Sequence, residues 1–385
     1  MTGTPMTSRQ RANLAINHQS PDRVPFDLTL TVDIYHRLRK ELGLPLEENK
    51  PVGIWTDVSP GIDLLDAMRV DFLYLGLNPA SSSSPLKQND GLHYDQWGVG
   101  RKKVLRDDGS YYFEMVRHPL STPTFQDVAD FPWPDPYDPA RVEGVREKFL
   151  HLRSETDKAI IGKFTTSIWE QSTYLVGLQS FLEMLALQPA LAGAILDKTC
   201  DVAIGLADVG LKAAGDLIDV FRLSGEDLGT QNSALISPKM YDRCVRPHHE
   251  RLWSFIKKKL AEINPNARLM LHSCGSVRAF IPAWIEMGLD ILDPVQPNIA
   301  GMSPPDLKRE FGSRLVFHGG IDIQQILPNG TPEQVKSHVR EQIRAFGSGG
   351  GYIVAPAHNV QSDVPVANLI ALRDAVLESG TYPLQ

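Results

Sequence analysis

Two residues with metal-binding side chains, His272 and Cys274, end an apolar run in this 385-residue chain. The run 267–271 is typical of a buried strand, and residues two apart at a strand end point to the same side. Zinc binds imidazole and thiolate ligands, and a catalytic zinc site has three protein ligands and one open position. The alternative is a histidine bonded to the backbone beside a buried thiol. The pattern therefore predicts part of a zinc site.

A third zinc ligand must come from the end of another strand. We expect His358, because it leaves the last predicted strand at a depth equivalent to that of His272. Glu226 and Asp227 are the second choice. These carboxylates terminate an apolar strand, so at least one should face the same pocket, as a general acid/base or as a metal ligand. A solvated acidic pair is the alternative interpretation.

Other polar residues also follow predicted strands, where loops converge if the strands are parallel. Asp322 follows the strand 314–318 and is predicted to be catalytic, together with Glu226 and Asp227. For His318 the alternative to a functional role is packing at the strand end. The predicted substrate-binding residues are Asp33, Gln296, His318 and Asn359.

Composition indicates a globular protein that acts on a small molecule. Hydrophobic residues make up 42% and charged residues 22% of the chain, enough to bury a full core. The net charge is −7 and no run of five or six like charges occurs, which argues against nucleic-acid and membrane partners. Three cysteines are too few for a disulfide framework, and no apolar segment reaches membrane-spanning length. We therefore expect a cytoplasmic enzyme.

Alternating strand and helix signals predict an α/β fold of the (β/α)8 TIM-barrel type. Repeated units of this spacing indicate a parallel sheet, and about eight of them favour a barrel over an open sheet. No GxGxxG or GxxxxGK[ST] motif follows a strand, which weakens nucleotide-binding alternatives. The predicted strands are 24–28, 71–75, 159–164, 219–223, 267–271, 291–294, 314–318 and 352–355. The main predicted helices are 33–44, 64–70, 140–155, 168–187, 191–214, 237–259, 277–287, 304–311, 332–346 and 366–378.

Two segments are expected in addition to the barrel. Residues 1–23 read as an N-terminal helical extension, and 91–120 alternate in the manner of an antiparallel β-hairpin insertion. We predict one domain over 1–385. The insertion could cover the pocket or contact a second subunit, so a homodimer is one expected arrangement.

Short motifs spread over nearly the whole chain carry a family resemblance. They are 21–26, 95–98, 118–120, 225–231, 237–238, 272–275, 293–297, 318–322 and 355–361. In these stretches the chain resembles the uroporphyrinogen decarboxylase (URO-D) superfamily and, within it, the corrinoid-dependent methyltransferases. The resemblance implies a TIM barrel with its pocket at the carboxyl ends of the strands.

The methyltransferase branch implies a specific chemistry. There, a His-x-Cys pair and a later Cys hold zinc, which activates a thiol for attack on a methyl group carried by a cobalt corrinoid. His358 stands at the later Cys position here, and a His2Cys set can also bind zinc. The resemblance thus implies a methyltransferase acting between a small methylated substrate or thiol and a corrinoid protein. The alternative is a cofactor-free uroporphyrinogen-type decarboxylase, although no arginine cluster follows the first strand to bind many carboxylates.

Overall fold

The computed structural model of the protein describes residues 6–46, 57–81, 87–106 and 109–384. The strands are β1 (Phe72–Gly76), β2 (Lys87–Asn89), β3 (Leu92–Tyr94), β4 (Gly100–Leu105), β5 (Tyr111–Arg117), β6 (Ala159–Lys163), β7 (Val220–Gly225), β8 (Arg268–His272), β9 (Ile291–Val295), β10 (Val316–Ile321) and β11 (Tyr352–Pro356). The helices are α1 (Ser8–Ile16), α2 (Val32–Glu41), α3 (Ile62–Ala67), α4 (Phe125–Asp130), α5 (Val145–Glu155), α6 (Trp169–Val176), α7 (Leu178–Leu187), α8 (Pro189–Ala214), α9 (Pro238–Cys244), α10 (Arg246–Ile263), α11 (Ile281–Glu286), α12 (Pro304–Phe311), α13 (Ile326–Asn329), α14 (Pro332–Phe346) and α15 (Val366–Ser379). Within these ranges no helix is long and apolar enough to cross a membrane.

Seven parallel strands form one sheet in the order β1-β6-β7-β8-β9-β10-β11. The segment 24–28 joins its two edges. Asp27 N donates to Val354 O of β11 at 2.9 Å, and Asp71 N donates to Phe26 O at 2.8 Å beside β1. Pro25 has no N–H to donate, which shortens the ladder to an isolated bridge. The predicted (β/α)8 barrel is confirmed, with 24–28 in the place of the eighth strand.

The barrel interior has two layers, because inward-facing residues occur at every second position along a strand. The lower one, which we call the apolar layer, is Phe72, Ala159, Ile161, Val220, Met270, Ile291, Val316 and Ile353, and α1 packs Ala12 and Ile16 against it. The next inward positions toward the carboxyl ends form what we call the polar layer: Tyr74, Lys163, Arg222, His272, Asp293 and His318. Helix α1 lies within the predicted extension 1–23, of which residues 1–5 fall outside the described part.

Two predicted long helices are each divided in the structure. The segment 168–187 forms α6 and α7, separated at Gly177, whose φ of 94° is incompatible with a continuous right-handed helix. The segment 237–259 forms α9 and α10. Pro247 lies in the first turn of α10 and has no N–H for the carbonyl four residues earlier, so α9 cannot continue into α10.

The predicted antiparallel insertion is a four-stranded sheet in the order β2-β3-β4-β5. It docks on α6. Leu120 N, just after β5, donates to Leu175 O at 2.8 Å, and His118 Nδ1 lies 2.7 Å from Tyr174 O. The insertion therefore contacts the helix that follows β6. Residues 107–108 of the insertion and residues 82–86, which precede β2, lie outside the described residues.

The buried carboxylate of Asp71 holds the segment 24–28 to the barrel, and its removal should destabilise the fold. It is fully buried and accepts hydrogen bonds from Arg11, Arg23 and Phe26 N at 2.7–2.8 Å. Breaking such a buried pair leaves a charge uncompensated, so Asp71→Ala should lower the free energy of unfolding by about 3–5 kcal/mol. Urea unfolding monitored by circular dichroism measures this.

A surface ion pair provides the control for Asp71. Asp306 and Arg309 form an (i,i+3) pair with side chains 38% and 72% exposed. Exposed pairs contribute little, so Asp306→Ala should leave the free energy of unfolding nearly unchanged. Equal losses in the two variants would contradict the role assigned to Asp71.

Candidate active site

The three residues selected from the sequence as zinc ligands lie together in the structure. The ligand atoms of His272, Cys274 and His358 are all within 4.8 Å of one another. Cys274 Sγ is 3.6 Å from His272 Nε2, and the rings of His272 and His358 meet edge to face with centroids 5.7 Å apart. Burial and the neighbouring His272 ring lower the pKa of His358. His358 is thereby kept in the neutral form that binds metals.

Asp293 fixes the orientation of His272. Its Oδ2 lies 2.9 Å from His272 Nδ1 and also accepts from Arg222 Nη2 at 3.0 Å. A carboxylate on Nδ1 holds the proton there and leaves Nε2 as the free ligand atom, the usual arrangement behind a metal-bound histidine. Burial alone would raise the pKa of Asp293, but His318, His272 and Arg222 together hold it well below its usual value.

His318 extends this set of contacts along the polar layer, toward Asp27. Its Nδ1 is 2.9 Å from Asp293 Oδ1, an ion-pair distance without hydrogen-bond alignment, and its Nε2 is 2.9 Å from Asp27 Oδ2. Tyr74 Oη donates to the same Asp27 oxygen. Burial disfavours the imidazolium, but the two carboxylates outweigh it and raise the pKa of His318 to about 9. His318, predicted to bind substrate, therefore lies between two carboxylates and is 4% exposed.

Two polar side chains hold the turn that carries Cys274. Asp227 Oδ1 accepts from Cys274 N at 2.8 Å, and Gln296 Oε1 accepts from Gly275 N at 2.7 Å. Gly275 has a φ of 87°, and a Cβ there would lie 2.4 Å from the Gly229 carbonyl carbon, so this turn requires glycine. Burial and the carboxylates of Asp227 and Asp293 raise the pKa of Cys274. The thiol is therefore protonated until a cation is bound.

Asp227 and Glu226 were predicted together as acid/base candidates, but their carboxylates have different contacts and different exposure. Asp227 faces the ligand set: its Oδ1 is 3.9 Å from His272 Nε2, and its side chain is 36% exposed. Glu226 is buried, and its two oxygens accept from the backbone N–H groups of Ile168 and Trp169 at 2.6 and 2.7 Å. It thus binds the N-terminal end of α6, where a carboxylate is favoured. This geometry gives no support to Glu226 as a proton-transfer group.

The remaining predicted residues occupy the surrounding loops. Asp322 Oδ1 accepts from Gln324 N at 2.7 Å and is 6% exposed, so it fixes its own turn. Asp33 lies in the first turn of α2 and is partly accessible, as is Asn359. The N-terminal end of α2 lies beside the loop of Asn359, because Thr31 N donates to Val360 O at 2.9 Å.

Sequence reasoning missed several polar residues inside the barrel. Tyr74, Lys163 and Arg222 stand in or at the end of apolar strands, and only their period-two relation to Phe72, Ile161 and Val220 would have indicated that they face inward. Glu170 was missed as well. Burial and the Asp227 and Glu226 carboxylates raise the pKa of Glu170 well above its usual value. A Cβ at Gly225 would lie 2.5 Å from Glu170 Oε2, so Gly225 leaves the space for this carboxyl group.

The chain is similar in sequence and in fold to proteins of one known family. The family model for uroporphyrinogen decarboxylase (URO-D) matches residues 114–379, more than half of the chain. The chain belongs to the URO-D family. A methyltransferase from Methanosarcina mazei of known structure has the same fold: the TM-score is 0.68 over 97% of this chain and 99% of that chain, at 19% identity.

Curated relatives of this URO-D family member include two kinds of enzyme. A methylated-thiol–coenzyme M methyltransferase from Methanosarcina mazei is 24% identical over 265 residues, which cover 68% of this chain and 66% of that protein. A uroporphyrinogen decarboxylase from Aeromonas salmonicida is 25% identical over 270 residues, covering 66% of this chain and 69% of that protein. The aligned part thus spans just under two thirds of the methyltransferase. Membership of the URO-D family is therefore compatible with either reaction.

Loss of the Asp293 carboxylate should weaken metal binding at the candidate site. Asp293→Asn removes the charge that orients His272, and loss of such a partner typically lowers metal affinity by about 10- to 100-fold. Competition with a chromophoric zinc chelator measures the affinity. Asp290→Asn is the matched control, since Asp290 Oδ2 accepts from Leu269 N at the opposite end of the strands. Wild-type zinc affinity in a folded Asp293→Asn variant would refute the orienting role.

The raised pKa of His318 predicts a pH-dependent stability. Because the folded-state value, about 9, lies above the ordinary 6.5, the stabilisation is complete below about pH 6.5 and is lost as the pH rises through about 9. The slope is at most about 1.4 kcal/mol per pH unit. Urea unfolding of chelator-treated protein between pH 6 and 10 should show this decline in wild type and not in His318→Asn. The exposed His151→Asn variant should retain the decline, and its persistence in His318→Asn would exclude His318 as the source.

Proposed function

We propose that this URO-D family member transfers a methyl group between a small methylated substrate or thiol and a corrinoid protein. The observation that carries the proposal is the convergence of His272, Cys274 and His358 at the mouth, by which we mean the open carboxyl end of the barrel. Strand ends in this position form the active sites of TIM-barrel enzymes. The corrinoid partner rests on the resemblance of the sequence motifs to the methyltransferase branch.

The ligand set fits zinc. Tetrahedral bonds of about 2.1 Å to nitrogen and 2.3 Å to sulfur imply a nitrogen–sulfur separation of roughly 3.6 Å. The Cys274 Sγ to His272 Nε2 distance is 3.6 Å. Two imidazoles and one thiolate leave the fourth position open for a substrate atom. When bound, zinc would lower the pKa of a thiol or polarise the atom from which the methyl group departs.

The chain's own residues would prepare and support this site. Asp293 keeps His272 in the tautomer that presents Nε2, and Gln296 fixes the turn of Cys274 through Gly275 N. Asp227 reaches the mouth, so we assign it the general acid/base role. For Glu226 we propose a supporting role, because its oxygens hold α6.

The remaining predicted residues are proposed to act farther from the candidate metal ligands. Asp33 and Asn359 are partly accessible and are proposed to contact substrate. His318 is proposed to support the site from the polar layer. Asp322 fixes its own turn, and its catalytic assignment has the least geometric support.

Decarboxylation of a uroporphyrinogen is the second candidate, and the curated decarboxylase relatives favour it. A cofactor-free decarboxylase has no use for two imidazoles and a thiol around one point. Asp27, an aspartate within the barrel that could contact a pyrrole, is 1% exposed and already accepts from Tyr74 and Leu28 N. The ligand set therefore favours methyl transfer.

Metal content tests the proposed function. Protein purified without added metal should carry one zinc per chain, and Cys274→Ala should lose it together with methyl transfer to a corrinoid acceptor. Elemental analysis by mass spectrometry and a cobalt-based optical assay measure the two quantities. Cys244→Ala is the control, because Cys244 is a buried cysteine at the end of α9 and should leave metal content unchanged.

Two results would contradict methyl transfer by this site. One is full activity in metal-free wild-type protein. The other is turnover of uroporphyrinogen that persists in Cys274→Ala, which would assign the chain to the decarboxylases instead.

A further inference from the structure

A buried imidazole, that of His249 in α10, faces the carboxylate of Glu226. Its Nε2 atom is 3.6 Å from Glu226 Oε2, and the two side chains are 0% and 4% exposed. Within the described part of the chain this nitrogen has no hydrogen-bond partner. The ring stacks on Trp253, with centroids 5.7 Å apart and planes at 8°, so it cannot turn aside without losing that contact. Glu226 is therefore the acceptor toward which this buried nitrogen is held.

Two hydrogen bonds determine which nitrogen of His249 carries the proton. Trp284 Nε1 donates to Tyr241 Oη at 2.9 Å, and an indole N–H can only donate. The Tyr241 hydroxyl is then free to donate to His249 Nδ1, which is 2.9 Å away. Nδ1 is thus the acceptor, and a neutral ring carries its proton on Nε2. The remaining N–H of His249 points toward Glu226.

Glu226 connects the start of α6 with the end of β8. Its carboxylate accepts from Ile168 N and Trp169 N at 2.6 and 2.7 Å. Its own N–H donates to His272 O at 2.8 Å, and its carbonyl oxygen accepts from Ser273 Oγ at 2.5 Å. A displacement of Glu226 would therefore move the main chain that carries the candidate ligands of β8.

The same contacts extend to the turn of Cys274. Trp169 Nε1 donates to Asp227 O at 3.0 Å, and Asp227 Oδ1 accepts from Cys274 N at 2.8 Å. The start of α6 is thus bonded to Glu226 and Asp227, and these two residues are bonded to the segment 272–274. On the side of α10, His249 faces the carboxylate at the centre of this set.

We infer that His249 is a positioning residue, which acts through Glu226 to fix the candidate ligands His272 and Cys274 relative to α6. A buried N–H with one acceptor in reach favours the arrangement in which that acceptor stays close. The low dielectric around the pair strengthens their attraction. Without the imidazole, Glu226 would be held on the α6 side alone, and the end of β8 would shift with it. The inference rests on the proposed function, because it takes His272 and Cys274 to bind zinc.

Substitutions along this set of contacts test the inference by zinc affinity. His249→Leu removes both ring nitrogens and should lower the affinity by about 10- to 100-fold, the usual loss when support for a metal ligand is removed. His249→Gln should retain most of the affinity, because its amide N–H can replace that of Nε2. Tyr241→Phe removes only the hydroxyl that orients the ring, so its loss should be smaller. Competition with a chromophoric zinc chelator measures each variant against wild type.

A core substitution elsewhere separates positioning from a general loss of stability. Phe311→Ala removes a buried side chain at the end of α12, which supplies no candidate ligand. It should lower the thermal unfolding midpoint and leave the zinc affinity unchanged. Wild-type affinity in folded His249→Leu would overturn the inference. An equal loss in Phe311→Ala would also overturn it, because the affinity would then follow overall stability.

Hydrogen exchange of metal-free protein keeps this inference separate from the proposed function. The amides of Ile168 and Trp169 donate to Glu226, so they should exchange faster in His249→Leu than in wild type or His249→Gln. Mass spectrometry of the peptides that contain them measures the rates. Unchanged rates would overturn the link from His249 through Glu226 to α6. If wild type binds no zinc while the rates change as expected, the proposed function fails and the role of His249 in holding α6 stands.

Discussion

Asp293 is a buried carboxylate on which both the barrel interior and the candidate site depend. Burying a carboxylate is unfavourable unless it is paired and hydrogen-bonded. Here, Arg222 from β7, His272 from β8 and His318 from β10 all lie within 3.0 Å of its oxygens. Asp293 of β9 therefore pairs with the guanidinium of Arg222 and orients the candidate metal ligand His272. On its other side it contacts the imidazole of His318. The position of His272 Nε2 follows from this arrangement.

The two layers of the barrel interior determine how far a substrate can enter the barrel. Branched and aromatic side chains with Ala12 and Ile16 of α1 fill the lower part, so no substrate can enter there. Above them, Asp27, Tyr74 and His318 form a hydrogen-bonded set with little exposure. Only the level of the strand ends remains for ligands. The candidate metal ligands and a cationic group accordingly lie where His272 and Lys163 end their strands.

The sequence was sufficient to predict the fold and the proximity of the three candidate metal ligands, because both follow from strand order. His272, Cys274 and His358 could be chosen by position, since the ends of parallel strands in a barrel must converge. The sequence could not predict that Asp227 faces the mouth whereas Glu226 binds the start of α6. The pairing of β7 with β8 shifts register between Leu223 and Gly225, so alternation along the strand no longer tells which carboxylate faces inward. Lys163 was missed for a different reason: its neighbours Gly76 and Arg222 come from distant parts of the chain.

The candidate ligands also come from strands that are not neighbours. His272 ends β8 and His358 follows β11, with β9 and β10 between them in the sheet. The two imidazoles must therefore meet across the mouth, above Asp293 and His318, which those intervening strands supply. A cation shared by His272 and His358 would link the two sides of this arc, and a site formed only in the folded barrel adds its binding free energy to stability. Asp293 and His318 join the strands between those that carry the two imidazoles, so their contacts support both the candidate site and this part of the barrel.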